Sequence, residues 1–351
     1  MAWPTRAAEL LGIRYPIVQA PMAGSTTPEL VAAVSEAGGL GSVGAARTPP
    51  DELRATIRRI RELTDRPFGV NVFAWPPFDP DADPTSALAG LEPLYEDVGV
   101  AVPTEVRAPF DPSMLLERQL AVVAEERVPV FSFTFGIPPL DEVRKAGAVI
   151  AGTATSPAEA MALERAGVDL VVAQGSEAGG HRGTFLHGFE EGLIGSLALV
   201  PAVVDAIGVP VLAAGGIMDG RGVAAAFALG ADGVQVGTAF LSTGESALTD
   251  VERRVLAGAE STVVTDRFTG RPARGVRNAL SDRLGDVEPL PFPLQAVATG
   301  PVTRAAVEQG REELAQVLAG QGAPRGRALG AAELVATLVR ETDEVLAAFA
   351  G

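Results

Sequence analysis

The chain contains no cysteine, which excludes a disulfide framework, a thiolate nucleophile and any cysteine-based metal site. It has only two histidines, His181 and His187, too few for a histidine-rich metal centre. Positive charge is scarce: 28 Lys and Arg stand against 44 Asp and Glu, a net charge of −16. That balance argues against nucleic acid or an anionic membrane as a partner, and its ordinary consequence is solubility. No apolar run approaches the ~18 residues of a membrane-spanning helix. Arg6, Glu9 and Arg14 interrupt the first apolar stretch, so no signal-peptide core is visible. The expectation is a soluble, cytoplasmic protein. Apolar residues, by contrast, fill 47% of the 351 positions, enough to bury one large α/β core.

A unit recurs along the chain. A segment rich in Ala, Glu and Leu ends in Gly, and a short Val/Ile run follows at once, as in Arg165-Ala166-Gly167-Val168-Asp169-Leu170-Val171-Val172 and Leu229-Gly230-Ala231-Asp232-Gly233-Val234-Gln235-Val236. Glycine just past a helix end adopts the left-handed cap, and a run apolar on both faces suits a parallel strand covered on both sides. Helix and strand therefore alternate. Eight strands are expected, at 17–20, 40–44, 68–73, 128–133, 148–152, 170–174, 209–213 and 233–237, with helices such as 28–37, 49–63 and 157–166 opening on proline. Eight strands in about 220 residues fit an α/β fold of the (β/α)8 TIM-barrel type. An open doubly wound sheet would instead carry a Gly-x-Gly-x-x-Gly turn after its first strand, where this chain has Ala20-Pro21-Met22-Ala23-Gly24.

Two stretches break the repeat. Residues 75–112, rich in Pro and Asp, read as an excursion after the third strand. Residues 246–323 follow the eighth strand and precede a helical apolar stripe at 334, 338, 345, 346 and 349. The expected organisation is a barrel of residues 1–245 and 324–351, with 246–323 inserted before the last helix as a lid or substrate subdomain. Loops after barrel strands lie at the catalytic face.

The most distinctive stretch is Gln174-Gly175-Ser176-Glu177-Ala178-Gly179-Gly180-His181-Arg182-Gly183, with four glycines in nine residues directly after a strand. Glycine lets main-chain N–H groups approach a ligand closely, so this loop reads as a cradle bracketed by Gln174 and His181. Glu177 and Arg182 read as a solvated pair, Arg267, Arg271, Arg274 and Arg277 as a structural or solvated cluster, and His187 as surface. The other expected strand ends carry Ala20-Pro21-Met22, Asn71, Gly215-Gly216 and Gln235-Val236-Gly237-Thr238. Glycines after the last two strands are where a barrel holds a phosphate. Amides at Asn71, Gln174 and Gln235 suit the edge of a planar heterocycle. Phosphate plus amide-rich strand ends suggest FMN.

With these residues in view, the chain resembles the nitronate monooxygenases of the FMN-dependent barrel type, formerly called 2-nitropropane dioxygenases. The matching pieces are Pro16-Ile17-Val18-Gln19-Ala20-Pro21-Met22, Gly69-Val70-Asn71, Phe131-Ser132-Phe133-Thr134-Phe135-Gly136, the glycine–histidine loop, Ala213-Ala214-Gly215-Gly216-Ile217, Gln235-Val236-Gly237-Thr238, Gly270-Arg271-Pro272-Ala273-Arg274-Gly275 and Ala319-Gly320-Gln321-Gly322. The resemblance implies FMN held by Asn71, Gln174, Gly179, Gly216 and Gln235 through Thr238, with Ala20, Pro21, Met22, Gly180 and Gly215 completing the expected cofactor site. It also implies His181 beside the flavin as the catalytic residue. The chain departs from relatives at Thr134, where some carry histidine, and lacks tyrosines in its C-terminal region.

The implied reaction is oxidation of an alkyl nitronate by O2 to a carbonyl compound and nitrite. The partners are small molecules, and a homo-oligomer is left open. His181 could hold the nitronate anion or, when neutral, remove the α-proton of a nitroalkane. Two alternatives stand beside this: an FMN- and NAD(P)H-dependent enoyl-acyl-carrier-protein reductase, and a non-catalytic flavin-binding protein.

Overall fold

The computed structural model describes Trp3 and residues 5–350. Met1, Ala2, Pro4 and Gly351, at the ends of the expected barrel range, lie outside the described residues. Eight parallel strands form the barrel: β1 (Ile17–Gln19), β2 (Gly41–Gly44), β3 (Phe68–Phe73), β4 (Val130–Thr134), β5 (Val149–Ala154), β6 (Leu170–Gln174), then, after a two-residue strand β7 (Gly180–His181), β8 (Val211–Ala214) and β9 (Gly233–Val236). Their order is β1-β9-β8-β6-β5-β4-β3-β2, and a parallel bridge between Val18 and Leu40 joins the last pair. At that seam the Gln19 side chain takes over from the backbone: its Oε1 accepts from Ser42 N at 2.9 Å. The expected (β/α)8 barrel is thus present.

Alternation along each strand sorts the core into two layers. Val18, Val130, Ala151, Leu170, Val172, Leu212 and Ala214 pack together inside the barrel, with Ala7 and Leu11 of the helix Arg6–Leu11. That helix leads into β1, so it plugs the N-terminal mouth and leaves the opposite mouth for function. Ile17, Val43, Val70, Phe131, Ile150, Val171 and Val234 face outward onto the helices. Several of those helices open on a hydroxyl cap followed by proline: Thr27 before Pro28–Glu36 and Ser156 before Pro157–Arg165. The last helix, Ala331–Ala350, packs against Gly220–Ala228 and Pro28–Glu36 and completes the outer ring. Gly220 permits that contact, since a Cβ there would lie 2.3 Å from Thr342 N.

The two stretches outside the repeat meet each other. Helix Thr85–Asp97 lies within 75–112, and its Leu91, Leu94 and Tyr95 share one buried cluster with Phe268, Leu284, Leu294, Ala298 and Val302. The Tyr95 hydroxyl donates to the Ala298 carbonyl, and Arg311 pairs with Asp97 at 2.9 Å. The second segment also carries β10 (Thr262–Thr265) and β11 (Ala273–Val276), which form an antiparallel sheet in the order β10-β11-β7. Through β7 this sheet is anchored on the glycine–histidine loop. No helix among the described residues is long and apolar enough to cross a membrane.

Candidate active site

The loop after β6 folds inward, and an inward loop strands carbonyls that need donors. Arg182 supplies them. It is 1% exposed and donates to the carbonyls of Gly175 at 2.6 Å, Gln174 at 2.8 Å and Gly192 at 2.9 Å. A planar guanidinium with several donors can serve three acceptors at once. Burial pushes its pKa down to about 10, which leaves it charged at neutral pH. Glu177 accepts from Ser196 N at 2.9 Å and from Ser196 Oγ at 2.9 Å. The expectation of a solvated Glu177–Arg182 pair is therefore corrected: both are braces of the loop. Arg271 donates to the Thr184 carbonyl, and Arg274 donates to the Ser176 carbonyl at 2.7 and 3.0 Å. Arg277 is an exposed partner of Asp282 at 3.0 Å. His187 is exposed.

Gln174 clamps the loop across its width. Its Nε2 donates to the His181 carbonyl at 3.0 Å and its Oε1 accepts from Gly183 N at 2.9 Å. The glycines differ in purpose. Gly180 has φ +77 and open space around it, whereas a Cβ on Gly179 would lie 2.5 Å from Gly320 N and 2.6 Å from the Ala319 carbonyl carbon. The segment around Gly320 lies against Gly179, tied by Gly320 N to Thr238 Oγ1 at 2.9 Å and by Gln321 N to the Glu177 carbonyl at 2.9 Å. At Gly179 close approach serves protein backbone.

His181 is fixed by β11, where it pairs with Ala273. Its ring is surrounded edge-on by Phe292, Phe135 and Phe73, with centroids at 5.3, 5.8 and 6.0 Å. Trp75 stacks on Phe292 at 5.2 Å. Phe135 holds a left-handed φ of +82, uncommon for a bulky residue, with the Arg271 guanidinium 4.0 Å above its ring. His181 as a residue is half-buried. Burial, then the positive charges of Arg271 and Arg47, push its pKa down to about 3, so it is neutral at neutral pH. Its Nε2 lies 2.9 Å from Thr269 Oγ1. Sequence reasoning missed Phe73, Trp75, Phe135, Phe292 and Thr269. Phe73 and Phe135 stand at strand C-terminal ends and could have been found by that rule; Phe292 and Thr269 come from the distant insertion and carry no local signal.

The remaining predicted residues line the same mouth. Ala20, Pro21 and Met22 follow β1, and Ala20 N donates to the Val236 carbonyl at 2.9 Å. A Cβ on Gly237 would lie 3.5 Å from Ala20 Cβ and 3.9 Å from Met22 Sδ, and one on Gly216 3.4 Å from Glu177 Cβ. Gly215 and Gly216 have φ +119 and +71. Among the described residues, the N–H groups of Gly215, Gly216, Gly237 and Thr238 have no protein acceptor. Asn71 is 4% exposed and donates to Ser132 Oγ at 2.9 Å, while Gln235 is half-buried on β9. Val236 is buried.

The strand C-termini thus gather a histidine, a ring of aromatic side chains and unpartnered main-chain donors, a candidate site at the face where (β/α)8 barrels carry their chemistry. The family model for nitronate monooxygenase matches residues 5–341. The nitronate monooxygenase of Pseudomonas aeruginosa is 44% identical over 352 residues, covering 96% of this chain and 98% of that protein. The crystal structure of nitroalkane oxidase from Streptomyces ansochromogenes superposes with a TM-score of 0.91 at 39% identity, covering 98% of this chain and 100% of that one. FabK from Thermotoga maritima superposes with a TM-score of 0.78 at 34% identity, covering 99% of each chain. The chain belongs to the nitronate monooxygenase family of flavin-dependent oxidoreductases.

Proposed function

We propose that this chain oxidises alkyl nitronates to carbonyl compound and nitrite with O2, using FMN, and that His181 is its catalytic residue. The observation that carries the reading is an imidazole ringed by three phenylalanines at the same barrel mouth as a rim of backbone donors without acceptors. Those donors, at Gly215, Gly216, Gly237 and Thr238, fit a phosphate, since main-chain N–H groups are ready anion ligands. Gln235 and Asn71 fit a heterocycle edge. Ala20, Pro21, Met22 and Gly180 fit as close-approach surface, and Gln174 as the clamp that orients the loop, while Gly179 packs on the 319–320 backbone and Val236 in the core and support the site from behind. FMN, when bound, supplies the electron chemistry with O2.

The chain's own residues do the rest. Phe73, Phe135 and Phe292 exclude water from the nitro-bearing carbon. Neutral His181 offers a lone pair that can accept the α-proton of a nitroalkane and a ring N–H that can hold a nitronate anion. The segments 246–323 and 75–112 act together as the lid, since Phe292, Thr269 and Arg271 come from one and Trp75 from the other.

The electron source tests the reading. Anaerobic addition of a nitronate should bleach the flavin band of the loaded protein in a stopped-flow trace, while NADH and NADPH should leave it unchanged. Fast bleaching by NADPH with no response to nitronates would promote the enoyl reductase alternative.

A further inference from the structure

We propose that Thr269 is a positioning residue that fixes the tautomer of His181, with the proton on Nε2 and the lone pair on Nδ1. The argument is a count of hydrogens. A threonine hydroxyl carries one. Thr269 Oγ1 lies 3.1 Å from the Arg271 carbonyl, which can only accept, and 2.9 Å from His181 Nε2. Among the described residues no other donor reaches that carbonyl. The hydroxyl proton therefore goes to Arg271, and Thr269 Oγ1 accepts from Nε2–H. Thr269 is 8% exposed, so water does not readily replace either partner. Among the described residues Nδ1 has no protein donor, which leaves it as the nitrogen available to a proton from carbon. The nitrogen that carries the proton is set by the hydrogen bond made by the other partner, a general feature of working histidines.

The catalytic part of this inference rests on His181 being the proton acceptor; the tautomer does not. The test separates them. Protein labelled with 15N-histidine in a His187→Asn background leaves one imidazole to observe. Two-bond proton–nitrogen correlation at pH 7 should show a protonated Nε2 and an unprotonated Nδ1. Thr269→Val should give mixed or reversed tautomers, while Thr269→Ser should restore the native pattern. In loaded enzyme, Thr269→Val should lower kcat on a neutral nitroalkane roughly 10- to 100-fold with little change in KM, and Thr269→Ser should recover it. A wild-type signal showing Nδ1–H, or Thr269→Val with an unchanged tautomer, overturns the proposal even if that variant is active; if Thr269→Val does not fold, the wild-type and Thr269→Ser spectra decide. The native tautomer switch without any kinetic effect would retain the positioning role and remove His181 as base.

Discussion

Gly179→Ala is expected to damage this protein more than Gly180→Ala, although only Gly180 has a left-handed φ. A methyl on Gly179 would sit 2.5 Å from Gly320 N, 2.6 Å from Ala319 C and 2.8 Å from Ala319 Cα. All three are backbone atoms and cannot rotate away. Overpacking of this kind costs about 1–3 kcal/mol. Moving the segment would also weaken the bonds from Gly320 N to Thr238 Oγ1 and from Gln321 N to the Glu177 carbonyl, each worth about 1 kcal/mol. Loss of both bonds would bring the sum to about 3–5 kcal/mol, a drop of roughly 4–7 °C in thermal midpoint for a chain of this size. At Gly180 a methyl meets nothing within 4 Å and pays only for its φ of +77, about 1–2 kcal/mol. Thermal unfolding of both variants by circular dichroism, with flavin content measured after gel filtration, gives the order. Equal midpoints, or a larger loss in Gly180→Ala, would refute the view that Gly179 is a packing glycine.

Gly216→Val should lose flavin, because a β-branched residue is strained at φ +71 and crowds the donor rim; full flavin occupancy in the variant would sink the phosphate placement. His181→Asn should fold and keep flavin, while turnover of neutral nitroalkanes falls about 10²- to 10⁴-fold and preformed nitronates are still oxidised; unchanged kinetics on both would contradict a direct role. With its pKa held down to about 3, His181 should give no acid limb near pH 6.5 in kcat/KM for a neutral nitroalkane, and a limb there that vanishes in His181→Asn would refute the burial argument. The same shift has a stability consequence: between about pH 3 and 6.5 the unfolded chain binds a proton that the folded one refuses, so stability falls as pH drops through that window. Acid titration of the thermal midpoint should therefore be shallower in His181→Asn than in the wild type.

The alternation of glycine-capped helices and doubly apolar strands determined the barrel locally. Each turn from Ala-Gly into a Val-rich run, as at Gly167 and Leu170–Gln174, is dictated by neighbours in sequence, and all eight barrel strands lie within about two residues of where that pattern puts them. The same holds for the loop of glycines around His181, since its position directly after a strand fixes it at the catalytic mouth. Tertiary structure alone decided what those residues touch. Arg182 and Glu177 look like a solvated pair in a polar loop, and become braces only because the loop turns inward and strands its carbonyls. Gly179 needs its missing side chain because residues 140 positions later arrive against it. The state of His181 was equally invisible: Phe73 from β3, Phe135 from the end of β4 and Phe292 and Thr269 from the insertion converge on it from four places in the chain. A side chain's pKa and tautomer depend on what surrounds it in space, and no periodicity in the sequence encodes which distant residues those will be.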